Sequence, residues 1–293
     1  MHLTHLSLTN YRNYAKQELA LAPGNVLLLG DNAHGKTNLL EAVFLLATGR
    51  AERAATDAEV IAWAVRDDPQ PYARVAGVAH RNSSARGAQA PPPVHATSGE
   101  ISVEVTIIGR PGARGGLVAS KRLKLNGVPK RAADVAGAIT AVLFTTDDMD
   151  LVRGAPAGRR RYLDVMLSQA GRDYARALSR YTKVVTQRNA LLRRIQEGAG
   201  AAGELDYWDG ELARDGGALL VERAAAVERL ACAAAALHAR LSGGRERFAV
   251  AYDARTLDGW PPAHIAAAPP AEAPAGGAAA IRLGGQPSSV RGS

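Results

Sequence analysis

A chain of 293 residues, 47% of them hydrophobic, can bury a large core and is sized for one large domain or two lobes. Its single cysteine, Cys232, excludes an intrachain disulfide, and no run reaches the roughly 18 consecutive apolar residues of a membrane span. Lys and Arg number 36 against 28 Asp and Glu, and the formal charge of +8 favours a polyanionic partner, although an arginine-rich coding bias would leave the same excess.

The opening MHLTHLSLTNYRNY has no basic segment followed by an apolar one, so a cytoplasmic protein without membrane contact is expected. Leu3, Leu6 and Leu8 alternate with polar neighbours, which predicts a strand that turns at Asn10. KQELALAPG predicts a second strand and a Pro23-Gly24 turn. The apolar run Val26 to Leu29 then reads as a buried parallel strand.

GDNAHGKTNLLEAV, residues 30–43, carries the spacing G-x-x-x-x-G-K-[ST] between that run and a helical pattern closed by Gly49. Strand, glycine loop and helix together are the setting of a phosphate-binding loop. In it the backbone of Gly30, Asp31, Asn32, Ala33, His34 and Gly35 turns N–H groups and a helix N-terminus toward the phosphates of ATP. Lys36 adds a mobile positive charge, and the Thr37 hydroxyl is a ligand for Mg²⁺. A chance glycine turn between core elements is the competing reading, and it has to supply all four fixed positions and the context together.

Residues 80–99 are rich in Ser, Ala, Pro and Gly and read as a disordered insertion. EISVEVTIIG and KRLKLNGVPK alternate like a hairpin around a longer loop, with Asn126-Gly127 as the next turn. Residues 1–146 are thereby expected to form an ATP-binding α/β lobe, and residues 147–243 a helical one. From Arg159 the pattern becomes helical, with Tyr174, Leu178, Tyr181, Val184 or Val185, Leu191 or Leu192 and Ile195 on one stripe that ends at Gly198. A second long pattern ends at Gly243-Gly244, so two long antiparallel helices are expected, followed by a return strand region over 244–260 and a disordered tail over 261–293.

Two stretches imitate motifs of an ATPase. LSGGRE, residues 241–246, ends a helix where a working signature motif begins one, and reads as a helix C-cap. In AVLFTTDDMDLV, two threonines separate the apolar Ala141 to Phe144 from Asp147 and Asp148, so these carboxylates read as caps of the next helix ahead of Mg²⁺ ligands. Arg172, Arg176 and Arg180 recur at i, i+4, i+8, with Arg159, Arg160, Arg161, Arg188, Arg193 and Arg194 near them in sequence. The cluster is a candidate DNA-binding face, against the alternative of a solvated helix surface. No catalytic Ser-His-Asp set and no metal-ligand spacing among the histidines is legible.

LTNYRNY, GDNAHGKTNLLEAVFLLATGR, GAPAGRRRYLD, RYTKVVTQRNALLR and YWDGELARDGGALL occur in this order over about residues 1–255. In them the chain resembles the RecF family of bacterial replication and repair proteins, within the ABC/SMC-like ATPase class. The resemblance implies an ABC-type ATP-binding lobe with a mixed sheet, an inserted helical lobe, and an ATP-dependent homodimer that clamps single-stranded and gapped duplex DNA. It also implies work beside recombination mediator proteins and a link to the SOS response. By the same resemblance Arg12, in the loop after the first strand, approaches the nucleotide. Two departures stand out. The family usually has glycine where Ala33 follows Asn32, and its Walker B carboxylates and second glycine motif lie beyond the helical lobe, where this sequence turns to Ala, Pro and Gly near residue 261. The chain therefore reads as C-terminally truncated or frame-shifted, able to hold nucleotide weakly but not to complete a hydrolytic site. A small P-loop kinase or GTPase, a chromosome-organising SMC-like clamp and a fragment without nucleotide chemistry are the rival readings.

Overall fold

The computed structural model describes residues 1–81, 99–113, 116–254 and 279–282. They divide into two compact units, one of Met1–Phe144 with Ser168–Ala175, the other of Thr145–Leu167 with the chain from Arg176.

The first unit contains β1 (His2–Tyr11), β2 (Tyr14–Ala20), α1 (Lys36–Thr48), β3 (Tyr72–Arg81), β4 (Gly99–Pro111), β5 (Leu117–Leu125), β6 (Val128–Lys130) and the short α2 (Ala132–Val135). The six strands form one sheet in the order β2-β1-β3-β4-β5-β6, antiparallel at every pairing. Alternation decides which face is buried: Ala73, Val75 and Ala79 of β3 lie opposite Ile107, Val105 and Ile101 of β4, and all six are buried. Onto this face α1 lays Ala42, Leu45 and Leu46, each fully buried. A buried leucine of this kind contributes about 1.5–3 kcal/mol relative to exposure. Gly77 sets how closely the helix approaches, because a Cβ there would stand 2.5 Å from Leu46 Cδ1. At the far end of α1, Gly49 takes a left-handed φ of 69° and returns its N–H to the Leu45 carbonyl, which stops the helix. Asn126 and Gly127, at φ of 51° and 78°, make the tight turn from β5 to β6.

The apolar run ahead of the phosphate loop departs from expectation. Val26 to Leu29 forms no strand, and Val26, Leu27 and Leu29 are exposed. A buried parallel strand needs at least one hydrogen-bonding neighbour and cover on both faces, and among the described residues none pairs with this run. The sheet of this unit is accordingly antiparallel where a mixed sheet was expected. Ala141 to Phe144 likewise forms no strand, with Val142 and Phe144 exposed.

The boundary between units falls two residues before the expected one, and Ser168–Ala175 returns to the first unit. Three contacts explain the return. The backbone N–H of Ala141 donates to Gln169 Oε1, Arg172 donates to the Asp134 carbonyl, and Gly137, at φ of 76°, leaves its Cα open to the Gln169 carbonyl.

The second unit holds α3 (Asp150–Arg153) and most of α4 (Pro156–Ala170) and α5 (Arg172–Gln196), two helices divided at Gly171 where the sequence pattern ran on, their adjoining ends within Ser168–Ala175 of the first unit. Then come α6 (Leu205–Ser242) and the parallel pair β7 (Phe248–Ala251) and β8 (Ala279–Arg282). The ion pairs Arg180–Asp215 and Arg188–Asp209 climb α5 while descending α6, so the two helices are antiparallel. Gly243 ends α6 at a left-handed φ of 62°, donating to the Arg240 carbonyl while Gly244 donates to Ala239. LSGGRE is thus a helix terminus. Of the supposed disordered insertion, residues 82–98 lie outside the described residues; so does the expected tail, apart from Ala279–Arg282, which is a strand. Among the described residues no helix is long and apolar enough to cross a membrane.

Candidate nucleotide-binding site

The loop of residues 30–35 runs directly into α1, whose first residue is Lys36. Positive φ recurs along it, at 149° for Gly30, 66° for Ala33 and 92° for Gly35. Such reversals turn successive backbone N–H groups to one side, the geometry of an anion-binding nest. Glycine takes these angles freely, whereas Ala33 takes its own at a cost of about 1–2 kcal/mol. Lys36 Nζ donates to the carbonyls of Gly30 and Asp31, both at 2.7 Å, so its ammonium lies over the loop. Thr37, in the first turn of α1, is exposed, as are Asp31, Asn32, Ala33 and His34.

The turn between β1 and β2 presses on this loop from behind. Asn13 sits so close to Gly35 that a Cβ on the glycine would stand 2.5 Å from Asn13 Nδ2 and 2.6 Å from Oδ1. Asn38, one turn into α1, donates to Asn13 Oδ1 at 2.8 Å. The required glycine and the asparagine after Arg12 are therefore two halves of one contact.

Arg12, itself at a φ of 55°, is fixed through its backbone N–H to the Val60 carbonyl, while Ala62 donates to Asn10. Its guanidinium reaches Glu41 Oε2 at 3.2 Å and the Arg53 carbonyl at 3.3 Å. Arg53 approaches the other oxygen of Glu41 at 3.6 Å. Neither Glu41 nor Arg53 stood out in the sequence. Glu41 occupies what reads as an apolar helix position, and only its burial marks it. Beside them, burial and then the Glu41 carboxylate push the Tyr11 hydroxyl above its ordinary range, against the pull of Arg12, so it stays a neutral phenol.

The carboxylates take the capping role read from sequence, and several of the arginines make contacts within the protein. Asp148 accepts from the Thr145 N–H as a cap, and Asp147 lies in the same short turn, which no apolar strand feeds. Arg159 donates to the carbonyls of Leu151 and Gly154 and so closes α3. Arg180 grips Asp215 with Nε and Nη2, and Arg172 is spent on Asp134. Arg160 and Arg176 are exposed and Arg161 is half-buried. Of the three regularly spaced arginines, Arg172 and Arg180 are thus engaged within the protein.

A glycine loop, a lysine over it and a helix springing from it, on a sheet with one face covered, define a phosphate-loop type of α/β fold. A family model described as an AAA domain matches residues 5–89. Proteins called DNA replication and repair protein RecF match over most of the chain. The one from Chloroflexus aggregans is 38% identical over 260 residues, 86% of this chain and 62% of its own length. Those from Roseiflexus castenholzii and Herpetosiphon aurantiacus are 41% and 42% identical, over 86% and 83% of this chain and 62% and 61% of their own lengths. The solved structure of the recombination mediator protein RecF with ATP, from the RecFOR pathway, superposes with a TM-score of 0.67 at 28% identity, over 82% of this chain and 58% of that one. The chain is similar to these RecF proteins over most of its own length, and it spans about three fifths of theirs.

Proposed function

We propose that the chain binds ATP with Mg²⁺ at Gly30–Thr37 and supplies the nucleotide-binding part of a RecF-type replication and repair protein that works on DNA in the cytoplasm. The observation that carries this reading is the loop itself, with Lys36 Nζ against the Gly30 and Asp31 carbonyls and Asn13 wedged on Gly35. The donor set suits a polyphosphate: backbone N–H groups at a helix N-terminus, an ammonium, and the exposed Thr37 hydroxyl. Lys36 would exchange its two carbonyl partners for phosphate oxygens, so its charge is held in place beforehand. Thr37 would take a place in the Mg²⁺ shell, and the bound ion would neutralise phosphate charge. The relative solved with ATP supports the same assignment.

DNA, single-stranded or in gapped duplex, is the proposed partner of the second unit. The exposed Arg160, Arg193 and Arg194 are the arginines proposed to meet phosphates, while Arg159, Arg172 and Arg180 make contacts within the protein. An ATP-dependent homodimer and contact with other recombination mediators belong to the same proposal. The test is thermal shift and equilibrium binding of Mg·ATP to the chain and to Lys36→Ala. Saturable binding lost in Lys36→Ala is expected; equal binding by both would refute the site.

A further inference from the structure

Among the described residues of the first unit Glu41 is the most deeply buried charged side chain, with 1% of its side chain exposed, yet it carries two guanidiniums rather than one. It lies four residues beyond Thr37 and five beyond Lys36 on α1, so it shares a helix face with the proposed Mg²⁺ ligand. Its two oxygens are divided. Oε2 takes Arg12, whose side chain is 19% exposed, at hydrogen-bond distance; Oε1 takes Arg53, 50% exposed, at a longer 3.6 Å. The two arginines come from different places in the chain, the β1–β2 turn and the segment after α1, and are linked again through Arg12 Nη2 and the Arg53 carbonyl.

Two guanidiniums share one buried carboxylate, and the Arg12 charge also acts on Glu59, so Arg12 is held by more than one anion. Simple fold maintenance would be served by one partner, and a buried pair is in general a weak source of stability. The Arg12 turn is also the element that touches the loop, through Asn13 on Gly35, so what fixes Arg12 fixes the wall of the loop.

We propose that Glu41 is a positioning residue for the nucleotide site: it clamps Arg12 in a set orientation beside the phosphate loop and keeps Arg53 within reach as a second, more loosely held cation for the nucleotide's phosphates. The inference rests on the nucleotide-binding role proposed above. A carboxylate that presets a guanidinium spares the ligand the entropy of ordering it. Arg53, the longer and more exposed contact, is the one that can be drawn from Glu41 to a polyanion.

The experiment measures Mg·ATP and Mg·ADP affinity for the chain, Lys36→Ala, Glu41→Gln, Arg12→Ala and the double variant Arg12→Ala/Glu41→Gln, with the melting temperature of each taken in parallel. Glu41→Gln keeps the shape and removes the charge. It is expected to weaken ATP about tenfold, and the double variant is expected to bind no worse than Arg12→Ala, because the two residues act as one. The ATP-to-ADP preference is expected to fall in Glu41→Gln, and an unchanged preference would overturn the role given to Arg53. A lowered melting temperature with ATP affinity within twofold of the parent would reduce Glu41 to a structural fastener and overturn the proposal, as would strictly additive losses in the double variant. Binding absent from the parent, or equal in Lys36→Ala, would overturn the nucleotide site itself and the role of Glu41 with it.

Discussion

Replacing Gly35 by alanine tests the contact on which the loop's shape depends. Gly35 has a φ of 92°, and its added Cβ would meet Asn13 at 2.5 Å and 2.6 Å. Two separable costs follow. The backbone angle costs an L-residue about 1–2 kcal/mol wherever its neighbours lie. Displacing Asn13 breaks the 2.8 Å bond from Asn38, a further loss of about 1 kcal/mol. Gly35→Ala should therefore destabilise the first unit by about 2–3 kcal/mol. Asn13→Ala alone should cost about 1 kcal/mol, the value of the Asn38 bond. In the double variant the clash has no partner, so only the backbone term and the lost bond remain, about 2–3 kcal/mol in all. Denaturant unfolding of the four proteins gives the cycle, with an expected coupling near 1 kcal/mol in the sense of rescue. Coupling below about 0.3 kcal/mol would show that Asn13 does not press on Gly35, and the account of this loop would fail. Full rescue by Asn13→Ala would show that the backbone angle carries no cost.

Ala33, at a φ of 66°, gives the opposite sign: Ala33→Gly should raise unfolding stability by about 0.5–1 kcal/mol after glycine's greater freedom in the unfolded chain is offset, and Ala33→Val should lower it. In the second unit the Arg180–Asp215 pair is lopsided, with Asp215 3% and Arg180 53% exposed. Arg180→Ala leaves a buried carboxylate with only the longer 3.9 Å contact to Arg214 and should cost about 2–3 kcal/mol, whereas Asp215→Asn removes the buried charge itself and should cost nearer 1 kcal/mol; equal losses in thermal unfolding would contradict this. Burial alone would raise the Glu104 carboxyl, but Lys124 and Arg74 outweigh it and hold it below its usual range. Its stabilising contribution is thus complete above the ordinary carboxylate pKa and is lost as pH falls through the depressed folded value, so Glu104→Gln should flatten the acid limb of stability against pH. For DNA, Arg160→Ala and Arg193→Ala should each reduce the log–log salt slope of binding by about one, while Arg180→Ala should change folding before it changes the slope.

Local chemistry was legible wherever neighbours in sequence are neighbours in space. The loop of Gly30 to Thr37, its helix, the Gly49 and Gly243 stops, the Asn126-Gly127 turn and the stripe from Tyr174 to Ile195 all follow from backbone preference and side-chain period. Pairing at a distance was not legible in the same way. The run Val26 to Leu29 has the composition of a buried strand, but a strand exists only when another accepts its hydrogen bonds, and no local pattern reports that. For the arginines at 172, 176 and 180 the sequence could give spacing but not partners, and it was Asp215 and the Asp134 carbonyl that turned two of them inward.

The sequence by itself determined that this chain carries a phosphate loop on the end of a helix, because that motif is a matter of eight consecutive residues and their allowed backbone angles. Only the tertiary structure decided that Asn13 should back the loop and that one buried glutamate should take both Arg12 and Arg53. Those contacts join residues 12 to 29 positions apart, and they exist because the sheet and α1 bury a shared apolar face and so bring the β1–β2 turn, the loop and the segment after the helix to one place.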